Sequence, residues 1–313
     1  MKIKPILNIL LTFLTLLVTF ASVGSLLGRF HWSGDTLALV VDYYFWLCVV
    51  LLVAFLLLRA WRAAAFVLLL LLLNGVHLIN YSYIEDTASV NQPQERTLRL
   101  MVYNIYHLNH DLEAIVREVE KYDPDLLFIM EYSDAIQRQI ESSFAAYPHR
   151  LIRTSRWTMG LALFSRIPFD DTEIHRFQNT RIPIYEAKMS VDGQPFTFVG
   201  GHPWAAQPQW AQLHRNQVAD ISKIAAKSSG PLIVAGDFNA TQWSYSLEQL
   251  ALAAKVRNIR RAFDLNKTFF PGASIGLSLD HVLISDEWTL LDYKHGERGG
   301  SDHLPIVVDL LLE

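Results

Sequence analysis

Three long apolar runs dominate the first quarter of the chain, at residues 6–27, 37–58 and 63–84. Each approaches or exceeds the ~20 residues that a helix needs to cross the hydrocarbon core of a bilayer. A backbone inside that core must satisfy its own hydrogen bonds, so the runs are expected as helices. Lys2 and Lys4 precede the first run, and Arg59 and Arg62 stand between the second and third. The positive-inside rule then places the N-terminus and the Arg59/Arg62 loop in the cytoplasm. The C-terminal part is expected on the periplasmic or extracellular side of the inner (cell) membrane. A cleaved signal peptide ending near Ala21-Ser22-Val23 is the rival reading of the first run, and leaves that sidedness unchanged. Asp42 and His77, near span ends, are expected to make interfacial or interhelical contacts rather than to serve transport.

The organisation expected is therefore a three-span anchor (residues 1–84), a polar linker (85–96) and a catalytic region (97–313). Twelve extended residues reach about 40 Å, which keeps that region close to the bilayer. From Thr97 onward there are 21 Lys and Arg against 26 Asp and Glu. This mild acidity is unlike the basic face of most tight DNA binders, although a local patch can suffice. The single cysteine, Cys48, lies in an apolar run. Intramolecular disulfides, cysteine-type zinc sites and a cysteine nucleophile in the C-terminal part are excluded.

Alternation of apolar and polar residues predicts a strand over 97–104. Asp111 caps a helix to about Tyr122, which Pro124 stops, and a buried strand follows to Met130. Further strands are expected at 160–165, 185–191, 196–201, 232–235, 281–284 and 304–310, with a helix over 209–227. Hairpin-like pairs mixed with strand–helix alternation favour an α/β sandwich with mixed sheets over a doubly wound parallel sheet.

The polar residues of interest share one trait: they sit where apolar strands stop. Glu131 ends the run Leu126-Leu127-Phe128-Ile129-Met130 and offers the carboxylate oxygen that a hard divalent cation prefers. Gly236-Asp237-Phe238-Asn239 ends another strand. Asp237 and Asn239 are two apart, so in extended chain they share a face and can orient a water and a phosphoryl oxygen together. Asp302 and His303, in Ser301-Asp302-His303-Leu304-Pro305, pair a metal-type oxygen with a proton-transfer group. Asp280 is suited to orienting His303, as triad logic requires. His202, in Gly200-Gly201-His202-Pro203-Trp204, titrates near neutrality and suits a leaving-group acid. Taken singly, each of these is an ordinary loop or strand-end residue.

Taken together and in order, they resemble the endonuclease/exonuclease/phosphatase superfamily. The segments that carry the resemblance are Tyr103-Asn104, Asp123-Pro124-Asp125 leading to Glu131, Gly160-Leu161-Ala162-Leu163-Phe164-Ser165-Arg166, His202, Gly236-Asp237-Phe238-Asn239, Asp280-His281-Val282 and Ser301-Asp302-His303-Leu304-Pro305. The resemblance implies a four-layered α/β sandwich behind the three transmembrane helices, and a bound Mg²⁺ replaceable by Mn²⁺. It implies Glu131 as the principal metal ligand, with Asn104 and Asp302 near the metal. Asp237 and Asn239 would orient the attacking water and the phosphate. His303, held by Asp280, would act as base or transition-state stabiliser, and His202 would assist the leaving group. The region is compact for the family, the family's active-site tyrosine is not placed on any residue while His202 occupies the corresponding segment, and Glu186 is offered as a partner for His202.

The substrate expected is a phosphodiester, with nucleic acid first and a lipid head group as the alternative; no protein partner is inferable. A non-catalytic membrane interaction protein is the remaining reading. Two basic clusters, Arg150/Arg153/Arg156 before Trp157 and Arg257/Arg260/Arg261, are expected as solvated faces, with a grip on nucleic acid as the functional alternative. Trp204, Trp210 and Trp243 are expected as rim or core. His107, His110, His175 and His214 have no motif context and are read as structural.

Overall fold

A computed structural model describes residues 3–80, 97–178, 180–260, 264, 266–272 and 275–313. The expected linker at 85–96, the end of the third apolar run and Arg261 lie outside the described residues. Four helices come first: α1 (Ile3–Ser25), α2 (Trp32–Ala38), α3 (Val41–Leu57) and α4 (Trp61–Asn80). Among the described residues α1 and α4 are each long and apolar enough to cross a membrane. The second apolar run is not one straight helix. α2 and α3 meet at an angle of 59°, so a third span exists only if the bent pair counts as one. Leu11, Val18, Cys48, Leu51, Phe55 and Val67 pack the helices together. Asn74 donates to Ser22 Oγ at 2.9 Å, satisfying two polar groups within this apolar bundle.

The rest of the chain runs β1 (Thr97–Asn104), α5 (Leu112–Tyr122), β2 (Leu126–Met130), α6 (Asp134–Ile140), β3 (His149–Arg153), β4 (Leu161–Ser165), β5 (Phe169–Arg176), β6 (Pro183–Val191), β7 (Gln194–Gly201), α7 (Ala211–Ala225), β8 (Leu232–Asp237), α8 (Tyr245–Ala254), β9 (Val256–Asn258), β10 (Asp280–Ser285), β11 (Trp288–His295) and β12 (Ile306–Leu312). One six-stranded sheet has the order β11-β12-β1-β2-β4-β3, and the other the order β5-β6-β7-β8-β10-β9. Both are mixed: β1/β2 and β7/β8 are parallel, and the remaining pairs are antiparallel.

The layering follows from which faces are apolar. Leu98, Leu100, Val102, Phe128, Phe198, Ala235 and Val308 fill the space between the sheets. The opposite face of the first sheet, with Met101, Tyr103, Leu127 and Ile129, is covered by Ile115 and Val119 of α5 and Ile136 of α6. The opposite face of the second, with Val199, Val234 and Leu283, is covered by Val218 and Ile221 of α7 and Leu247 and Leu250 of α8. Two sheets between two helical layers are the α/β sandwich expected from the sequence.

One end of this sandwich gathers the functional residues. The parallel pairs bring the C-terminal ends of β1, β2, β7 and β8 to it. Antiparallel pairing of β10 with β8, and of β12 with β1, brings the N-terminal ends of β10 and β12 there too. α7 and α8 start at this end, and the apolar helices dock on it. Asp35 of α2 lies 3.5 Å from Arg215 and accepts from Ser246 N at 3.4 Å. Thr241 Oγ1 donates to Ala38 O at 3.0 Å. Tyr43 of α3 donates from its hydroxyl to Gly276 O at 2.8 Å and accepts from Gly276 N at 2.9 Å. Asp42 pairs with Lys267, and His77 of α4 reaches Trp243 O at 3.3 Å. Asp42 and His77 therefore both contact the C-terminal region. Trp243 is buried with Ala38, Val41 and Leu78.

Candidate active site

Asn104, the last residue of β1, is buried and donates from its carboxamide to Glu131 Oε1 at 3.3 Å and Asp237 Oδ2 at 3.0 Å. It ties together two carboxylates that would otherwise repel. Glu131 follows β2 in the left-handed region, at φ 61°. Its other oxygen accepts from the His107 backbone N at 2.9 Å and lies 2.7 Å from His107 Nδ1. Asp237 ends β8, and Asn239 N donates to its Oδ1 at 2.8 Å. Asn239 itself, at φ 50°, anchors its side chain on Pro203 O at 3.0 Å. Gly236 is required for close approach: a Cβ there would lie 2.0 Å from Gly201 O, at a φ of 152°.

Asp280 faces Asp237 directly across the β8–β10 ladder. Its Oδ2 lies 2.7 Å from His303 Nδ1, and both residues are buried. That contact fixes the ring so that Nε2 points 3.7 Å from Asp237 Oδ2 and 4.0 Å from Asp302 Oδ1. Ser301 holds the turn in place, donating to Asn104 O at 2.7 Å and accepting from His303 N at 3.0 Å. His202 is buried between the acids. Its Nδ1 lies 3.1 Å from Asp237 O and 3.6 Å from Asp237 Oδ2, and its Nε2 lies 3.7 Å from Glu131 Oε1.

The electrostatics follow from burial and mutual charge. Burial raises the Glu131 carboxyl, but His202 and His107 outweigh it and hold the group at about 2. Burial opposes charging His202, yet Asp237 and Glu131 lift it to about 9. Burial likewise opposes charging His303, while Asp280 and Asp237 lift it to about 10. Burial and the neighbouring Asp280 push Asp237 above the usual carboxylate range, against the pull of the two histidines. Asp280 is raised by burial but lowered more by the charge and hydrogen bond of His303. Two acids with opposite shifts flank one imidazole, which is a pattern suited to proton handling.

All eight residues expected from the sequence meet here. Glu131 and Asp302 bear on each other electrostatically: burial raises the Asp302 carboxyl, His303 lowers it and Glu131 raises it. Asp302 Oδ1 is buried and has no hydrogen-bond partner. An unpartnered carboxylate oxygen beside a second carboxylate fits a hard divalent cation. Asp237, Asp280 and His303 also come within 4.8 Å of one another. Within that triplet Asp280 Oδ2 is held by His303, and Asp237 accepts from Asn104 and Asn239, while Asp280 Oδ1 is buried without a hydrogen-bond partner.

Some expectations fail. Glu186 does not partner His202; it lies on β6, where its Oε2 is 2.7 Å from His175 Nε2. His107, read as structural, holds Glu131 in place. The cluster at Arg257 and Arg260 is not a solvated face: Arg260 is buried, with Asp264 at 3.2 Å and Tyr293 Oη at 3.2 Å. Arg150 bonds Tyr147 O at 2.8 Å and Phe144 O at 2.9 Å, a structural role.

The family model described as "Endonuclease/Exonuclease/phosphatase family" matches residues 101–303. A UPF0294 protein of Vibrio vulnificus (strain CMCP6) is 27% identical over 251 residues, covering 73% of this chain and 82% of that protein. Among solved structures, D. rerio TDP2 complexed with single strand DNA product superposes with a TM-score of 0.60 at 15% identity, over 69% of this chain and 99% of that one. The human Nocturnin catalytic domain with bound sulfate anion gives 0.58 at 19% identity, over 70% and 96%. These two likenesses concern the fold.

Proposed function

Because the chain belongs to the endonuclease/exonuclease/phosphatase family, we propose that it is a membrane-anchored, divalent-metal-dependent phosphoester hydrolase that directs water onto a phosphodiester. The observation that carries this reading is the Asp237–His303–Asp280 chain on one rim of the sandwich, with Glu131 tied to Asp237 through Asn104 and His202. A retired hydrolase fold serving as an interaction protein would have no use for two acids and two imidazoles buried against one another.

Glu131 and Asp302 would hold Mg²⁺, or Mn²⁺ in its place, with Asn104 beside them. When bound, the ion supplies Lewis-acid stabilisation of charge on the phosphoryl oxygens. Asp237 and Asn239 orient the attacking water. Asp280 fixes His303 so that its Nε2 presents a proton or positive charge to the phosphoryl group. His202, charged near neutral pH, donates toward the leaving oxygen. His107 positions Glu131. The spans would anchor the chain in the cell membrane with the hydrolase region on the periplasmic or extracellular side, as the Lys and Arg flanks indicate.

The test uses the full-length chain in detergent with bis(p-nitrophenyl) phosphate, a soluble diester. Hydrolysis is expected with Mg²⁺ or Mn²⁺, to vanish on chelation and to return on re-addition. Glu131→Gln is expected to cost about a hundredfold at fixed metal. Activity that survives full chelation would refute the metal assignment.

A further inference from the structure

Large apolar side chains on the C-terminal region are not scattered. Apart from Leu252 on α8, the exposed ones among the described residues all lie at the end of the sandwich that carries the site. Leu108 follows β1, and Trp157 lies between β3 and β4. Trp204 and Trp210 follow β7, stacked with centroids 6.0 Å apart. Phe270 and Ile275 precede β10. Their exposures run from 37% for Trp204 to 71% for Trp157, too much for core and too concentrated for chance.

The same end carries cations without counter-charges. Arg153 ends β3, Arg176 ends β5, and Arg181 stands just before β6; together they line a cavity of about 230 Å³. Among the described residues no carboxylate pairs with any of the three. On a region with a net acidic balance, this concentrates positive charge on one face.

The apolar helices fix what that face meets. Tyr43 and Asp42, in the first turn of α3, grip Gly276 and Lys267. His77, near the end of α4, grips Trp243 O. The loops so held are the loops of the site. Residues 240–246 follow Asn239 directly. In the other loop, Phe270 N donates to Asp302 O at 2.8 Å, and the Phe269 ring lies 4.8 Å from the His303 ring. The catalytic rim therefore sits at the level where the helices leave the apolar phase.

We propose that this rim rests on an anionic lipid leaflet, and that the phosphoester hydrolysed belongs to a lipid head group in that leaflet. Aromatic and aliphatic side chains around a rim partition into the head-group zone. Guanidinium forks engage lipid phosphates there, and an anionic surface draws them in. Aromatic and basic side chains also grip single-stranded nucleic acid. That occupant gives no reason for Leu108 and Ile275 to face outward, and it would be pressed against head groups of its own charge. The substrate half of the proposal rests on the phosphoesterase reading; the seating half does not.

The experiment uses the full-length chain in vesicles of phosphatidylethanolamine and phosphatidylglycerol. Cys48 is the only cysteine, so Ile275→Cys in a Cys48→Ala background carries one environment-sensitive fluorophore. Blue-shifted emission, quenched by nitroxide lipids labelled at the head group, is expected. Emission as in water overturns the seating. ³¹P NMR of the vesicles is expected to show a lipid phosphoester consumed. Arg176→Gln/Arg181→Gln is expected to slow that loss by about tenfold, two surface cations being removed, while leaving bis(p-nitrophenyl) phosphate hydrolysis unchanged. Intact lipid alongside cleavage of added single-stranded DNA overturns the substrate assignment, as does equal lipid turnover by the double variant. If the wild type fails on the soluble diester too, the phosphoesterase reading falls, and the fluorophore still decides the seating.

Discussion

Asp237→Ala and His303→Ala are each expected to lower kcat on a soluble diester by about a thousandfold while the protein stays folded. Asp237 is the hub of the rim. It accepts from Asn239 N and from Asn104 Nδ2, and it stands within 3.7 Å of both His303 Nε2 and His202 Nδ1. Without it, neither imidazole has its central anion and water loses its acceptor. Without His303, the Asp280 carboxylate has nothing to orient. Because the two residues act as one unit, the double variant is expected to be little worse than either single one. Rates on the full-length protein, with circular dichroism to verify folding, check this. Single variants within fivefold of wild type would mean that the site lies elsewhere.

Asp280→Asn is expected to cost about 3 kcal/mol of stability at neutral pH, because it breaks a buried ion pair from one side. The loss has a defined pH dependence. His303 titrates at about 10 in the folded chain, above its ordinary 6.5. Its contribution is thus fully present below about pH 6.5 and is lost as pH rises toward 10. Asp280 is depressed below 3.8. Its contribution is present above that value and is lost in more acid solution. The gap in melting temperature between wild type and variant should therefore be widest near pH 5–6 and close above pH 10. A gap that stays constant to pH 10 would show that the pair is not ionic.

What the sequence disclosed depended on periodicity. Strands β1, β2, β4, β7, β8 and β10 are apolar enough to read, and the residues at their ends include Asn104, Glu131, His202, Asp237 and Asp280. Strands β3, β5, β9 and β11 were not legible. β5 reads Phe-Asp-Asp-Thr-Glu-Ile-His-Arg and lies at a sheet edge with five of its eight residues exposed, so alternation never develops. β9 has three residues. The contact of His107 with Glu131 was hidden for another reason. It depends on Tyr106 adopting φ 59°, which turns the chain back toward β2, and no spacing rule encodes that turn. The pairing of Asp42 with Lys267 joins residues 225 apart. Hydropathy marks Asp42 as anomalous in an apolar run but cannot name its partner. The bend between α2 and α3 was equally invisible, since the run Leu37-Ala38-Leu39-Val40-Val41 carries no proline or glycine.

Four non-glycine residues around the site hold left-handed backbone: Tyr106, Glu131, Asn239 and Phe270. Each such conformation costs roughly 1–3 kcal/mol, sustained only because the surrounding packing leaves no alternative. The two sheets and their helical layers thus act as a spring frame, and the rim is where the spring is held cocked. Relaxing the backbone at these positions would make a calmer protein whose acids point the wrong way. Selection for stability and selection for chemistry pull in opposite directions at this end of the molecule, and in the same direction everywhere beneath it.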